Sequence, residues 1–128
     1  MVRLERTECL RRLGRSGMGR VAVTIHALPT IFPIDYAVLK GDVVFHIAAG
    51  TTLTAAMCDA VIAFEVDDID TSSRVGWSVV VVGRSRELTD PAVIAAIAGL
   101  PLGTWADTAG TCVVQLRTDV VSGSEILG

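Results

Sequence analysis

The sequence has few charged residues and no block of basic ones. Charged side chains make up 20% of its 128 residues and apolar ones 51%, with a net charge of −3. A chain this apolar should fold, and a surface this poor in charge suggests that a second subunit covers part of it. The nearest approach to a basic patch, Arg11, Arg12, Arg15 and Arg20, is interpreted as the solvated side of a first helix and its loop. Nucleic-acid binding is therefore not supported.

Long apolar stretches are also missing, so neither a membrane span nor a secretory signal peptide is predicted. Cysteine is scarce and odd in number, with Cys9, Cys58 and Cys112 at no C-x-x-C spacing. This pattern argues against a disulfide framework and against structural zinc. Neither His26 nor His46 has a second ligand at helical spacing, so no metal site is predicted. Together these features predict a cytoplasmic protein.

The chain length fits a single domain spanning residues 1–128. No linker, internal repeat or low-complexity tract divides it. A domain of this size buries roughly two-thirds of the surface that its unfolded chain exposes, so we expect a substantial core.

Short strand patterns follow one another closely along the chain. The predicted strands are residues 20–26, 31–38, 43–47, 61–66, 77–88 and 112–120. Turns are predicted at Leu28-Pro29 and at Lys40-Gly41-Asp42, and a polar loop holds Asp67, Asp68, Asp70, Thr71, Ser72 and Ser73. Six strands at this spacing predict an antiparallel barrel or sandwich rather than a doubly wound α/β sheet.

Three short helices are predicted beside these strands. The first covers residues 7–13 with Thr7 as a plausible N-cap, and the second covers residues 51–58. The third begins at Pro91 with Asp90 as its N-cap. The fold class is therefore mainly β with short helices.

Two motifs fail when their mechanism is considered. The glycine-rich stretch at residues 14–21 has Arg20 where a phosphate loop needs Lys, and it lies between a helix and a strand. The acidic group Asp67, Asp68 and Asp70 lacks the spacing of a calcium loop. We interpret it as a solvated segment at a strand end.

The segment at residues 45–53 is the one that suits a ligand. It is a strand, then a tight turn at Gly50, then a helix start at Thr51 and Thr52. Backbone N–H groups at a helix start, beside a threonine hydroxyl, can bind a phosphate. A purely structural N-cap by Thr51 or Thr52 is the alternative.

The order of the segments resembles the pyridoxamine 5′-phosphate oxidase-like flavoproteins. The resemblance covers almost the whole chain, and its most specific part is Gly76-Trp77-Ser78-Val79 and the residues up to Arg84. The other matching segments are residues 8–13, 19–23, 32–36, 50–53 and 100–102, with Trp105.

The resemblance implies a six-stranded antiparallel split β-barrel that binds FMN at a homodimer interface. It also implies an oxidoreductase that acts on a small-molecule substrate, with the hydride chemistry supplied by the cofactor. One subunit would contribute Pro33, Ile34, Asp35, Tyr36, His46, Ile47, Gly50, Thr51 and Thr52. The other subunit would contribute Trp77, Ser78 and Trp105.

Three departures from the family pattern affect the phosphate turn. Thr52 stands where the family usually has Lys, Ile47 where Thr is frequent, and His46 where Arg is common. Each lost charge-assisted hydrogen bond costs roughly 1.5–3 kcal/mol. Arg20 and Arg84 are candidates to replace the missing cation. Two alternatives stay open: a reductase that uses the deazaflavin F420, and a degenerate barrel that binds another small molecule or a partner protein without redox turnover.

Overall fold

The computed structural model describes residues 1–15, 17–48, 50–98 and 111–127, which form an antiparallel sheet with short helices. In chain order the elements are β1 (Val2–Arg3), α1 (Arg6–Leu13), β2 (Met18–Ile25), β3 (Leu28–Asp35), β4 (Ala37–Leu39), β5 (Asp42–Ala48), α2 (Thr52–Ala56), β6 (Ala60–Asp70), β7 (Val75–Leu88), α3 (Pro91–Ala98), β8 (Thr111–Leu116) and β9 (Val120–Ile126). The mainly β class is confirmed, although the described residues form nine strands rather than the predicted six.

The extra strands arise because runs of strand-forming residues change partner part-way. The predicted strand at residues 31–38 breaks at Tyr36, whose backbone N–H donates to Gly17 O at 3.1 Å. The predicted strand at residues 112–120 breaks after Leu116, and β9 then pairs with β1 and β7. Residue preferences alone do not show where a strand leaves one partner for another.

The sheet curls into a split barrel. Its strand order is β3-β2-β6-β7-β8-β5-β4, so the two ends of the path are strands that are consecutive in the chain. β7 pairs with β6 over all of residues 75–85. Its other edge pairs with β9 over residues 76–82 and then with β8 over residues 85–88. This change of partner along one strand splits the barrel.

Gly83 lies at the point where β7 changes partner from β9 to β8, here named the fork. A Cβ at this position would lie 2.0 Å from Arg117 O, far inside van der Waals contact. Arg117 N donates to Arg84 O at 3.1 Å, so the β8–β9 connection packs directly on the fork. Only glycine allows the two backbones to approach this closely.

The main core fills the inner face of the sheet. Val21, Phe45, Phe64 and Val79 are buried there. α1 contributes Cys9 and Leu13 to the same cluster. The hydroxyl of Tyr36 donates to Leu13 O at 2.5 Å, and its ring meets Phe64 edge-on at 4.7 Å. These contacts tie α1 to the point where the two ends of the sheet meet.

A smaller apolar cluster lies on the other face of the sheet and includes Ile97 of α3. The predicted start of this helix is confirmed, since Asp90 Oδ1 accepts from Ala92 N at 3.0 Å. The Lys40–Gly41 hairpin is confirmed too, because Leu39 pairs with Asp42 and both intervening residues have positive φ. Of the helices in the described ranges, none has the length and apolar character needed to cross a membrane.

Two local predictions were wrong, and a third was wrong in part. The first hairpin turns at His26 and Ala27, with φ of 50° and 63°, and Leu28 already pairs in β3. Such a turn normally carries Asn or Gly, so His-Ala has no recognisable turn signal. Glu5 rather than Thr7 precedes α1 as its N-cap residue. The first part of the predicted polar loop, residues 67–70, belongs to β6, whereas its last part, residues 71–73, does lie in a turn, at residues 71–74.

Candidate functional site

The first predicted site segment, residues 33–36, alternates between the two faces of the sheet. Pro33 is exposed at the edge of the barrel, and Asp35 is half-buried. Ile34 packs against the main core, and Tyr36 is only 2% exposed. The side chains of Ile34 and Tyr36 therefore stabilise the barrel, and a ligand here would meet Pro33, Asp35 and the backbone.

His46 and Ile47 point to opposite faces of β5. Ile47 lies in the core, 4% exposed, so its side chain is not available to a phosphate. His46 Nδ1 is buried without a hydrogen-bond partner among the described residues, and it borders a cavity of about 420 Å³. Burial lowers the pKa of His46 below its usual 6.5. His46 is therefore mostly neutral at pH 7 and does not replace an arginine as an anion-binding cation.

Residues 50–52, here named the Gly50 turn, connect β5 to α2. Gly50 has φ of +71°, which favours glycine. Thr51 is the N-cap of α2: its Oγ1 accepts from Thr54 N at 3.2 Å and lies 3.2 Å from Ala48 O. The structural N-cap considered as an alternative is thus present, and it engages the Thr51 hydroxyl. Thr52 is exposed and offers its hydroxyl beside the N–H groups of a helix start.

The two candidate replacement cations are engaged elsewhere in the same chain. Arg20 Nη1 lies 3.5 Å from Glu65 Oε1 and 3.6 Å from Asp67 Oδ2. Arg84 Nη1 contacts Asp59 Oδ1 at 3.0 Å, beyond the far end of α2. In the described part of the chain, no arginine or lysine side chain donates a hydrogen bond to the Gly50 turn.

Trp77 and Ser78 lie at the start of β7, on opposite faces. Trp77 packs against the main core, with the Arg12 guanidinium 5.7 Å from its ring centroid. Ser78 shares the outer face with Pro33, and three strand spacings, about 14 Å, separate β7 from β3. One subunit alone therefore does not bring Pro33 and Ser78 together. Trp105 and residues 100–102 lie outside the described residues.

An apolar row crosses this outer face. Antiparallel partners lie on the same face, and the register aligns five apolar residues across five strands. These residues, here named the outer row, are Ile31, Ala22, Ala63, Val82 and Val120. Ile31 is 69% exposed and Val120 is 61% exposed. The sequence analysis missed this row because it depends on the register between strands, which residue patterns do not reveal.

A charged group beside the outer row was also missed. Glu65 points outward between Phe64 and Val66, whose side chains are in the core. Desolvation, and then the neighbouring Asp67, raise the pKa of Glu65 to about 7, while Arg20 opposes this rise. The alternation of the strand is enough to place Glu65 on this face. Its charged neighbours could not be predicted, because Arg20 comes from β2 and Asp67 from a segment that was predicted to be a loop.

Comparison with known proteins decides the family. Residues 5–125 match the family model described as pyridoxamine 5′-phosphate oxidase. The chain belongs to this family. It is 36% identical over 132 residues to an uncharacterised protein of Mycobacterium tuberculosis, a match that covers 99% of this chain and 86% of the relative. The predicted family is therefore confirmed.

Solved structures agree with this assignment. An FAD binding protein from Mycobacterium smegmatis is 33% identical, with a TM-score of 0.87 and 99% of each chain covered. A protein of unknown function from Corynebacterium diphtheriae is 25% identical, with a TM-score of 0.82 and 98% of each chain covered. The predicted split barrel is thereby confirmed.

Proposed function

We propose that this chain binds a flavin at the interface of a homodimer and acts as a flavin-dependent oxidoreductase on a small molecule. One observation carries the proposal: the 33% identical relative from Mycobacterium smegmatis is named as an FAD binding protein and aligns over 99% of both chains. A flavin supplies hydride-transfer chemistry when bound, so the protein needs to hold and orient it rather than provide a catalytic triad.

FAD is favoured over the predicted FMN. The name of the relative points to FAD. The Gly50 turn also presents hydroxyl and N–H donors without a cation from the described residues of its own chain. The terminal phosphate of FMN is a monoester carrying about −1.5 to −2 charges at pH 7, as such phosphates do. Each phosphoryl group of the FAD pyrophosphate has one ester bond, one anhydride bond and a single negative charge, which a turn without a cation from the described residues accommodates more easily.

The chain offers contacts for such a ligand on two surfaces. The Thr52 hydroxyl and the first N–H groups of α2 would hold a phosphate oxygen. Pro33 and Asp35 would line the ring, together with Ser78 of the other subunit. His46, kept neutral by burial, would serve as a hydrogen-bonding group rather than as a charge.

The outer row is the proposed dimer contact. Its exposed Ile31 and Val120 form an apolar strip that crosses five strands, as an interface requires. In a two-fold dimer the same patch contacts itself, so Pro33 of one subunit can approach Ser78 of the other. This arrangement accounts for a site whose two halves lie about 14 Å apart within one subunit.

The test is the visible absorption spectrum of the purified protein, followed by titrations of the flavin-free protein with FAD and with FMN. We expect a bound flavin, with FAD binding more tightly than FMN. Competition with F420 tests the deazaflavin alternative directly. If neither flavin binds and neither raises the thermal unfolding midpoint, the proposed function is wrong.

The degenerate barrel is the second candidate, because no cation of the described residues donates to the Gly50 turn and Ile47 is in the core. Thr52→Lys tests it, with Thr52→Gln as a control of similar length without charge. If the natural chain is a weak binder, Lys should strengthen FMN binding by roughly 10- to 150-fold, the value of one charge-assisted bond. An unchanged affinity in both variants would place the phosphate elsewhere.

A further inference from the structure

A second concave site lies at the fork of the barrel. It is a cleft of about 590 Å³, formed by the start of α1, the end of β7 and the connection between β8 and β9. Four of the 11 cationic residues of the chain line it: Arg6, Arg84, Arg86 and Arg117. We name it the arginine cleft. Arg84 is seven residues along β7 from Trp77, about 23 Å at strand spacing, so the cleft is distant from Trp77 and Ser78.

Two of the four arginines are neutralised by carboxylates. Arg84 Nη1 lies 3.0 Å from Asp59 Oδ1, and Arg117 Nε lies 3.3 Å from Asp119 Oδ1. Both pairs are exposed, so they neutralise charge without contributing much to stability. The positive charge that can attract a ligand therefore comes from the other two arginines.

Arg6 and Arg86 donate to neutral acceptors instead. Arg6 Nη2 donates to Thr118 O at 2.7 Å, and Arg86 Nε donates to Gln115 Oε1 at 2.8 Å. Within the described ranges, neither guanidinium has a carboxylate within the 4.0 Å of an ion pair. Neither positive charge is therefore held in an ion pair, on a chain whose net charge is −3.

Gln115 and Asp42 fix the geometry of Arg86. Gln115 Nε2 donates to Asp42 Oδ2 at 3.0 Å, and Asp42 Oδ1 accepts from Thr118 N at 3.2 Å. This chain of bonds orients the Gln115 amide so that its oxygen meets Arg86 Nε. The bond uses one nitrogen of the guanidinium, which carries five N–H donors in a planar fork. With four arginines and three aspartates, the cleft has a net charge of +1.

We propose that the arginine cleft binds a phosphomonoester of a hydroxylated small molecule. Planar guanidinium forks match phosphate oxygens, and Arg6 and Arg86, which form no ion pair with the described residues, supply the attraction. The neighbouring carboxylates and the Gln115 amide can accept hydrogen bonds from hydroxyl groups. The volume is that of a small-molecule site rather than an ion site. None of the described residues that line it is aromatic, so they offer a nucleobase no stacking surface.

The test uses the full chain saturated with FAD and four probes: glucose 6-phosphate, inorganic phosphate, gluconate and glucose. Binding is measured by calorimetry at low salt. We expect saturable binding of glucose 6-phosphate, weaker binding of inorganic phosphate, and none of glucose. The affinity should fall as salt is raised. No saturable binding of either phosphate probe, or tighter binding of gluconate than of glucose 6-phosphate, would overturn the proposal.

Variants locate the binding. Arg6→Gln combined with Arg86→Gln should weaken glucose 6-phosphate binding by at least about tenfold, the value of losing charge-assisted bonds. Arg15→Gln is the control, because Arg15 is an exposed arginine outside the cleft. Arg86→Lys keeps the charge but loses the fork, and it should fall between the wild type and the double variant.

Each contrary result is informative. An equal loss in Arg15→Gln would reduce the effect to overall charge and would overturn the site. Competition between FAD and glucose 6-phosphate would mean that the cleft belongs to the flavin site, which would overturn its separate role. The arginines that are changed are exposed, so thermal unfolding should confirm that the variants fold. If the double variant does not fold, Arg86→Lys decides the question, and an unchanged affinity in it would count against the fork.

Discussion

At the scale of single residues, the direction of a side chain decided which predicted site positions can meet a ligand. Tyr36 and Ile47 were implied as site residues by the family pattern, yet both side chains lie in the core. Successive residues of a strand point to opposite faces, so a contiguous site segment always gives alternate side chains to the interior. Pro33 and Asp35 are therefore the members of the first segment whose side chains face outward.

Glu65 is the residue whose environment gives the clearest pH dependence. Its folded pKa of about 7 lies above its usual 4.5, so the folded chain holds its proton more tightly than the unfolded chain does. The free energy of unfolding should then fall as pH rises from about 4.5 to about 7. Glu65→Gln should remove this decrease, as measured by urea unfolding at several pH values across that window.

Asp67→Asn provides the matched comparison for this prediction. Asp67 is the second cause of the raised pKa, after burial. Replacing its carboxylate should move the window to lower pH without abolishing it. The same pH slope in the wild type and in Glu65→Gln would contradict the prediction.

At the scale of elements, the fork in β7 depends on Gly83. Gly83→Ala places a methyl group against Arg117 O, a backbone atom that cannot rotate away. We expect a loss of at least about 2 kcal/mol in the free energy of unfolding, in the range of overpacked sites. Gly17→Ala is the control, since no heavy atom outside its neighbours lies within 4 Å of its Cβ position and its φ is not positive. Equal stability of the two variants in urea would show that the fork relaxes.

The start of α2 allows a similar comparison between neighbouring threonines. Thr51→Ala removes the cap that accepts from Thr54 N, which should cost about 1 kcal/mol of stability. Thr52→Ala removes a hydroxyl for which α2 shows no capping bond, so its stability should stay within about 0.5 kcal/mol of the wild type. Flavin titration should show the opposite order, with the larger loss of affinity in Thr52→Ala. If Thr51→Ala alone weakens binding, the ligand depends on the cap rather than on the Thr52 hydroxyl.

At the scale of the whole molecule, the proposed flavin site depends on the proposed dimer, because each subunit contributes part of the site. Ile31→Glu and Val120→Glu each put a charge into the outer row, where a partner would bury it. We expect both variants to be monomeric by light scattering and to lose bound flavin while they stay folded. Leu127→Glu is the control, because Leu127 is exposed and lies outside the row. A dimer that persists in both variants would place the interface on another face.

More of the fold than of the candidate site could be predicted from the sequence. Alternation in β2, the hairpin at Lys40 and Gly41, and the capped start of α3 all followed from local residue chemistry. The turn at His26 and Ala27 did not, because its residues carry no preference for positive φ. The outer row and the arginine cleft also escaped prediction, since each combines residues from strands that are far apart in the sequence.

By itself, the sequence determined where most strands and helices lie and which family the chain resembles. These properties depend on side-chain preferences and spacing within short segments. Only the tertiary structure decided that β7 divides its edge between β9 and β8, that Ile47 and Tyr36 belong to the core, and that Arg6 and Arg86 share one cleft. These outcomes depend on the pairing register and on the order of the strands in the sheet, which bring distant residues together without a local signal.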